Sequence, residues 1–259
     1  MARTALMNVM VAAVLKAGRS LTRDFGEVEN LQVSMKGPGD FVSAADRRAD
    51  QILIAELTKA RPTYGFLTEE SGTIEGSDSG NRWIIDPLDG TTNFLHGIPI
   101  FAVSLGLERE GQVVAGVVFN PVMNELYVAE RGSGAFLNDR RLRVAGRKDL
   151  GDAVISTGNA PRERGKGPYQ AELGRVMEAT AGIRRPGAAA IDLAWVASGR
   201  FDGYWHHGLS PWDVAAGILL VREAGGFVTD GKGGDGMFAS GTVVAGNEII
   251  HRQLLGLLG

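Results

Sequence analysis

Trp83-Ile84-Ile85-Asp86-Pro87-Leu88-Asp89-Gly90-Thr91-Thr92-Asn93 is the stretch of this 259-residue chain on which the fold and the chemistry turn. Trp83 to Ile85 is a short apolar run of buried-strand type, ended abruptly by two acids that flank a proline. Gly90-Thr91-Thr92-Asn93 then has the form of a helix start. Carboxylates three residues apart across a tight turn can converge on one hard divalent cation, and free backbone N–H groups at a helix start can cradle a phosphate. Pro87 fixes the turn, and Gly90 lets an oxyanion approach the backbone. Each acid also has an ordinary reading, because Asp is common in turns.

Upstream, Tyr64 to Thr68 reads as a strand running into Glu69-Glu70, and residues 72 to 81 as a Gly/Ser/Asp loop. Before it, a helix is signalled by Ser43 with Asp46 three residues on, carries the apolar stripe Ile52, Leu53, Leu57, and ends at Arg61-Pro62. Asn30 to Lys36 reads as a strand entering a turn at Gly37-Pro38-Gly39-Asp40. Ala5 to Leu15 is too short to span a bilayer. Asn8 interrupts it, and Leu6, Met10, Val11, Val14 and Leu15 recur at the spacing of an amphipathic helix. Downstream, Ala102 to Leu107, Val113 to Phe119 and Glu125 to Ala129 form an antiparallel meander whose edge continues to about residue 138.

The texture changes near residues 145 to 150. Val154 to Thr157 is a strand, 158 to 168 a charged Gly/Pro loop, and Tyr169 to Ala181 a helix. Ile191 to Ser198 is a helix of small residues, Tyr204-Trp205 a strand, Val214 to Ala224 a helix closed by Gly225-Gly226, and Phe227 to Thr229 a further strand. Interleaved helices and strands without repeats describe a layered α/β protein of two closely packed halves, 1–147 and 148–259.

Composition bounds the function. With 44% hydrophobic and 22% charged residues the chain suits a large globular unit, and a formal net charge of −3 gives no field favouring nucleic acid or an anionic membrane. There is no cysteine, so disulfides, thiolate zinc sites and thiol nucleophiles are excluded, and a reducing cytoplasm fits. The 37 glycines, roughly twice the usual share, beside 9 prolines indicate tight turns carrying the chemistry.

Two further acids join the first pair. Asp213 follows Pro211-Trp212 in the first turn of a helix, where it has an ordinary reading as a helix cap, and Glu69 ends a separate strand. Oxygen ligands without cysteine or clustered histidine select Mg²⁺ or Mn²⁺ over zinc or copper. The runs WIIDPLDGTTNFLHGIP (83–99), WDVAAGILLVREAGG (212–226) and FLTEESG (66–72), with Lys36, Asp40 and Asp46, closely resemble the inositol monophosphatase family of Mg²⁺-dependent sugar phosphatases, particularly its bacterial extragenic-suppressor branch, over nearly the whole chain.

The resemblance implies a stacked αβαβα fold, usually as a homodimer. It also implies two Mg²⁺ ions, one bound by Glu69, Asp86 and the Leu88 carbonyl and one shared by Asp86, Asp89 and Asp213. Thr91 with Glu69 would orient and deprotonate the attacking water, Asp46 would support Thr91, and the Gly90 and Thr91 amides would hold the phosphate. Lys36, on a Gly-rich loop, would close over the phosphate or recruit a third ion. Strand alternation lets only one of Glu69 and Glu70 face the site, and the motif favours Glu69. The substrate would be inositol monophosphate or a related small sugar or polyol phosphate. Relatives of this fold also hydrolyse fructose 1,6-bisphosphate, 3′-phosphoadenosine 5′-phosphate or histidinol phosphate, and the suppressor branch is associated with the transcription machinery.

Two substrate positions depart from the family pattern. The residue seven before Asp213, commonly Glu, is His206, and the Gly-Ser/Thr-Ala loop is Gly187-Ala188-Ala189. The other histidines suggest no metal site: His96 is lone, and His206 and His207 alternate to opposite strand faces. Trp83, Trp195, Trp205 and Trp212 read as packing, Arg140-Arg141 and Arg184-Arg185 as solvated charge, and residues 231 to 236 as a turn.

Overall fold

The computed structural model describes residues 3–27, 33–37, 40–159 and 168–259, with side chains omitted for 33–42 and 159. Helix α1 (Ala5–Phe25) is capped by Thr4, whose hydroxyl accepts from the Met7 amide at 3.1 Å. It continues well past Leu15, because Ala17, Gly18 and Leu21 extend the buried stripe. The hairpin β1 (Val33–Gly37) and β2 (Asp40–Ser43) leads into α2 (Ala44–Ala60). Ser43 and Asp46 cap that helix reciprocally, as their spacing predicts: the Ser43 amide donates to Asp46 Oδ2 at 2.9 Å, and Ser43 Oγ accepts from the Ala45 amide at 3.1 Å.

Next come β3 (Tyr64–Thr68), β4 (Gly72–Ile74), β5 (Asp78–Asp89) and the single-turn α3 (Thr91–Leu95). The 72–81 segment is therefore largely strand rather than loop. Its polar residues are paired through the backbone, with Thr73 opposite Leu67 and Asp78 opposite Tyr64. The meander follows as β6 (Ala102–Arg109), β7 (Gln112–Asn120), β8 (Glu125–Glu130), β9 (Gly134–Leu137) and β10 (Arg140–Arg141). These strands form one eight-stranded sheet, β10-β9-β8-β7-β6-β5-β3-β4.

The remaining elements are β11 (Val154–Asn159), α4 (Tyr169–Ala179), β12 (Gly182–Arg184), α5 (Ala189–Ala197), β13 (Gly203–His207), α6 (Pro211–Glu223), β14 (Phe227–Thr229), α7 (Met237–Ser240), β15 (Thr242–Gly246) and α8 (Glu248–Leu258). A five-stranded sheet runs β12-β11-β13-β15-β14. Helices α1 and α2 pack on one face of the first sheet, against Trp83, Ile85, Leu105 and Val117. Helices α5 and α6 lie between the sheets, against Val118 and Tyr127 on one side and Tyr204 and Val243 on the other. Helices α4 and α8 cover the outer face of the second sheet, around Ile155, Trp205 and Val244. The order of layers is helix, sheet, helix, sheet, helix, the αβαβα stacking that the resemblance implies.

Candidate active site

Strand β5 does not end at Ile85. Asp86 pairs opposite Ser104 and Asp89 opposite Ala102, so three steps on β5 answer two on β6. This is a bulge, and it accommodates Pro87, which cannot donate to the ladder. Asp86 Oδ1 accepts from the Leu88 amide at 3.0 Å, which fixes the turn. Gly90 then adopts a left-handed conformation, φ 92°, and a Cβ there would stand 2.9 Å from the Ile100 carbonyl oxygen, so both backbone and packing require glycine.

Glu69 follows β3, the parallel neighbour of β5, and its amide donates to the Ile85 carbonyl at 3.1 Å, beside Asp86. Asp213 lies in the first turn of α6, where Pro211 starts the helix and Asp213 Oδ2 accepts from the Ser210 amide at 2.6 Å. Burial, then the charges of Glu69, Asp89 and Asp213, push the Asp86 carboxyl well above the usual carboxylate range. Burial and then Asp213 do the same to Asp89, against the opposing effect of two α5 amides. Those amides, of Ala189 and Ala190, donate to Asp89 at 3.2 and 2.7 Å. Four acids thus share one electrostatic neighbourhood, in which the Glu69 charge acts on both Asp86 and Asp89. Among the described residues, however, no three acids or histidines stand close enough together to hold an ion as they are. Asp86, Asp89 and Asp213 each accept from a backbone amide.

Thr91 Oγ1 lies 3.0 Å from Asp46 Oδ1 and 3.1 Å from the Leu88 carbonyl oxygen. Its one proton goes toward these acceptors, leaving the oxygen lone pairs to receive a hydrogen bond from water. Asp46 therefore caps α2 and orients Thr91 at once, with burial raising its carboxyl. Asn93, weighed in the sequence only as part of the helix start, donates to the Ile100 carbonyl at 2.7 Å and the Pro186 carbonyl at 2.8 Å. It ties α3 to the loop before α5.

A cavity of about 380 Å³ opens between α3, α5 and β13, with Asp89 and Asp213 in its lining together with Gly187, Ala188, Ala189, Asp192 and His206. The His206 ring takes the space a Gly158 side chain would need, since a Cβ there would be 2.3 Å from the imidazole. Its Nδ1 donates to the His207 carbonyl at 2.9 Å, and burial pushes its pKa down to about 3, so it is neutral. His207 points to the other face and pairs with Glu172 at 2.6 Å.

Arg185 is exposed, as its reading as solvated charge expects, and it also lines this cavity, where its charge helps depress His206. Asp192 was not singled out in the sequence. The signal was present, since it is the one acid in an otherwise apolar helix, and burial followed by the charge of Asp89 raises its carboxyl well above the usual range. Lys36 lies in β1, but its side chain is outside the described residues.

A sequence profile of the inositol monophosphatase family matches residues 3–258. The chain is 66% identical over 256 residues to the inositol-1-monophosphatase of Mesorhizobium japonicum, covering 98% of this chain and 96% of that protein. It is 45% identical over 255 residues to the Nus factor SuhB of Pseudomonas aeruginosa, covering 96% and 94%. A crystal structure of the extragenic suppressor protein suhB from Bartonella henselae superposes with a TM-score of 0.96 at 60% identity, covering 98% of each chain. By sequence and by architecture, this chain belongs to the inositol monophosphatase family.

Proposed function

We propose that the chain is a Mg²⁺-dependent phosphomonoesterase that hydrolyses inositol monophosphate or a related small sugar or polyol phosphate by direct attack of water. The observation that carries this is the electrostatic neighbourhood that Glu69, Asp86, Asp89 and Asp213 share around the bulge that also presents Gly90 and Thr91. The donor set fits a hard divalent cation: carboxylates and a backbone carbonyl, mutually repelling, desolvated at Asp86 and Asp89, and without cysteine. Glu69, Asp86 and the Leu88 carbonyl would hold one ion, and Asp86, Asp89 and Asp213 a second. When bound, such ions lower the pKa of water and neutralise the phosphoryl oxygens and the departing alkoxide.

The chain's own groups do the rest. The Gly90 and Thr91 amides hold the phosphate, Thr91 Oγ1 orients the attacking water under Asp46, and Glu69 takes its proton. Asp89 and Asp213, with Gly187, Ala188, Ala189 and His206, face the alcohol, and Lys36 closes over the phosphate or recruits a third ion. Mn²⁺ as a substitute, a homodimeric assembly, a cytoplasmic location and the division into halves 1–147 and 148–259 belong to the same proposal. No described helix is long and apolar enough to cross a membrane. Phosphate release from a panel of phosphate esters with Mg²⁺ tests the activity and ranks the substrates.

The likeness to the Nus factor of P. aeruginosa favours a second role in contact with the transcription machinery. An Asp213→Asn chain that is inactive yet still retained by transcription complexes would separate the two roles; loss of retention along with activity would count against independence.

Raised carboxyls make a stability prediction. Between the unfolded carboxylate pKa of about 4 and their raised folded values, Asp86 and Asp89 keep more protons in the folded chain than in the unfolded one. Stability therefore falls as pH rises through that window. Without divalent ions, Tm should fall as pH rises above about 4, less steeply in Asp89→Asn, and saturating Mg²⁺ should raise Tm most at the alkaline end. A wild-type Tm that neither follows this slope nor responds to Mg²⁺ would contradict it.

His206 also carries a prediction. A neutral imidazole replaces a charge-assisted acceptor, which weakens inositol affinity by several-fold to about tenfold. His206→Glu should raise the ratio of kcat/KM for inositol 1-phosphate over glycerol 2-phosphate. An unchanged ratio would make His206 a bystander.

A further inference from the structure

Helix α5 is apolar and buried almost throughout, yet it carries Asp192, only 2% exposed, on the lining of the cavity. An acid so placed is costly unless something pairs with it. Its Oδ1 is sealed from solvent without a hydrogen-bond partner, and so are Ser156 Oγ and Tyr204 OH. Ser156 and Tyr204 stand directly opposite each other on the parallel strands β11 and β13. Ser156 lies beside the Asp192 carboxyl, whose Oδ1 still has no partner, and the Tyr204 and His206 rings lie 6.0 Å apart, tilted by 40°. Three buried polar groups thus lie together under the cavity, each short of a partner, whereas such groups are nearly always paired. The neighbouring acid, Asp89, already has both oxygens engaged by α5 amides.

We propose that Asp192, backed by Ser156 and Tyr204, is a specificity-determining residue that hydrogen-bonds a hydroxyl of the leaving-group alcohol at the cavity floor. The inference rests on the phosphatase reading and names the part of the substrate that this floor recognises. An alcohol bearing a hydroxyl there gives the Asp192 carboxyl its missing partner, with Ser156 and Tyr204 behind it, and one without it leaves the carboxyl unpaired. Sites built in this way discriminate strongly against the analogue that lacks the hydroxyl.

The test measures kcat and KM of the full-length chain with Mg²⁺ on inositol 1-phosphate and on phenyl phosphate, whose leaving group has no second hydroxyl. Asp192→Ala should lower kcat/KM for inositol 1-phosphate about tenfold to a hundredfold, mainly through KM, and change phenyl phosphate by less than about twofold. Asp192→Asn should recover part of the inositol preference, and Tyr204→Phe should lose part of it. Equal losses on both esters, or no loss on either, would overturn the proposal. If Asp192→Ala does not fold, Tyr204→Phe and Ser156→Ala, which each remove only a hydroxyl, decide by the same ratio. Wild-type turnover of phenyl phosphate checks the phosphatase reading separately.

Discussion

Asp89→Asn and Asp213→Asn chains are expected to fold and to lose phosphatase turnover by about 10³-fold or more at low Mg²⁺, because each replaces a charged oxygen ligand by a neutral amide. Folding should survive for a physical reason. Asp89 accepts from the Ala189 and Ala190 amides and Asp213 from the Ser210 amide, and an Asn side-chain oxygen can keep one such bond. Removing one buried negative charge also relieves repulsion in the metal-free chain. The check is phosphate release against Mg²⁺ concentration, together with Tm for each variant. Full activity of either variant at low Mg²⁺ would sink the assignment of these acids as ligands.

The second large effect is at Thr91. Its hydroxyl is held by Asp46 and the Leu88 carbonyl with lone pairs to spare, so Thr91→Ala should cut kcat by about 10²-fold or more while KM changes little. Thr91→Ser, which keeps the hydroxyl, should retain far more activity. Equal activity of Thr91→Ala and the wild type would reduce Thr91 to a helix-start residue. Because Asp46 acts through Thr91, Asp46→Ala should add little to the loss in a Thr91→Ala background.

Much of the fold is written in local chemistry. Ser43 with Asp46 marks the start of α2, the β-rich runs of the meander mark β6, β7 and β8, and the apolar run at Trp83 to Ile85 marks the buried core of β5. Where pairing rather than pattern decides, the sequence is silent. Gly72–Ile74 and the first residues of β5 lack a buried apolar run, and they become strand through pairing with β3 and β6. The register of β12 and β15 likewise depends on neighbours far along the chain.

The site divides in the same way. Asp86, Asp89, Gly90 and Thr91 fall in one stretch and are legible together. The contact of Asp46 with Thr91 spans 45 positions, and the bonds from the Asn93 amide to Pro186 and from α5 to Asp89 span about a hundred. Spacing shows none of these. Arg185 looked like surface charge because its pair is exposed, and only the fold brings it to the cavity beside His206. Asp192 was hidden differently: a lone acid in an apolar helix is visible in the sequence, but its orphaned neighbours Ser156 and Tyr204 are not.

The most direct measurement is release of inorganic phosphate from inositol 1-phosphate by the purified wild-type chain, with Mg²⁺ and again after chelation. The proposed divalent-ion site around the β5 bulge predicts steady turnover with Mg²⁺, its loss in excess chelator, and its return when Mg²⁺ is restored. Turnover undiminished in excess chelator, or no phosphate release from any small phosphate ester with Mg²⁺ present, would contradict it.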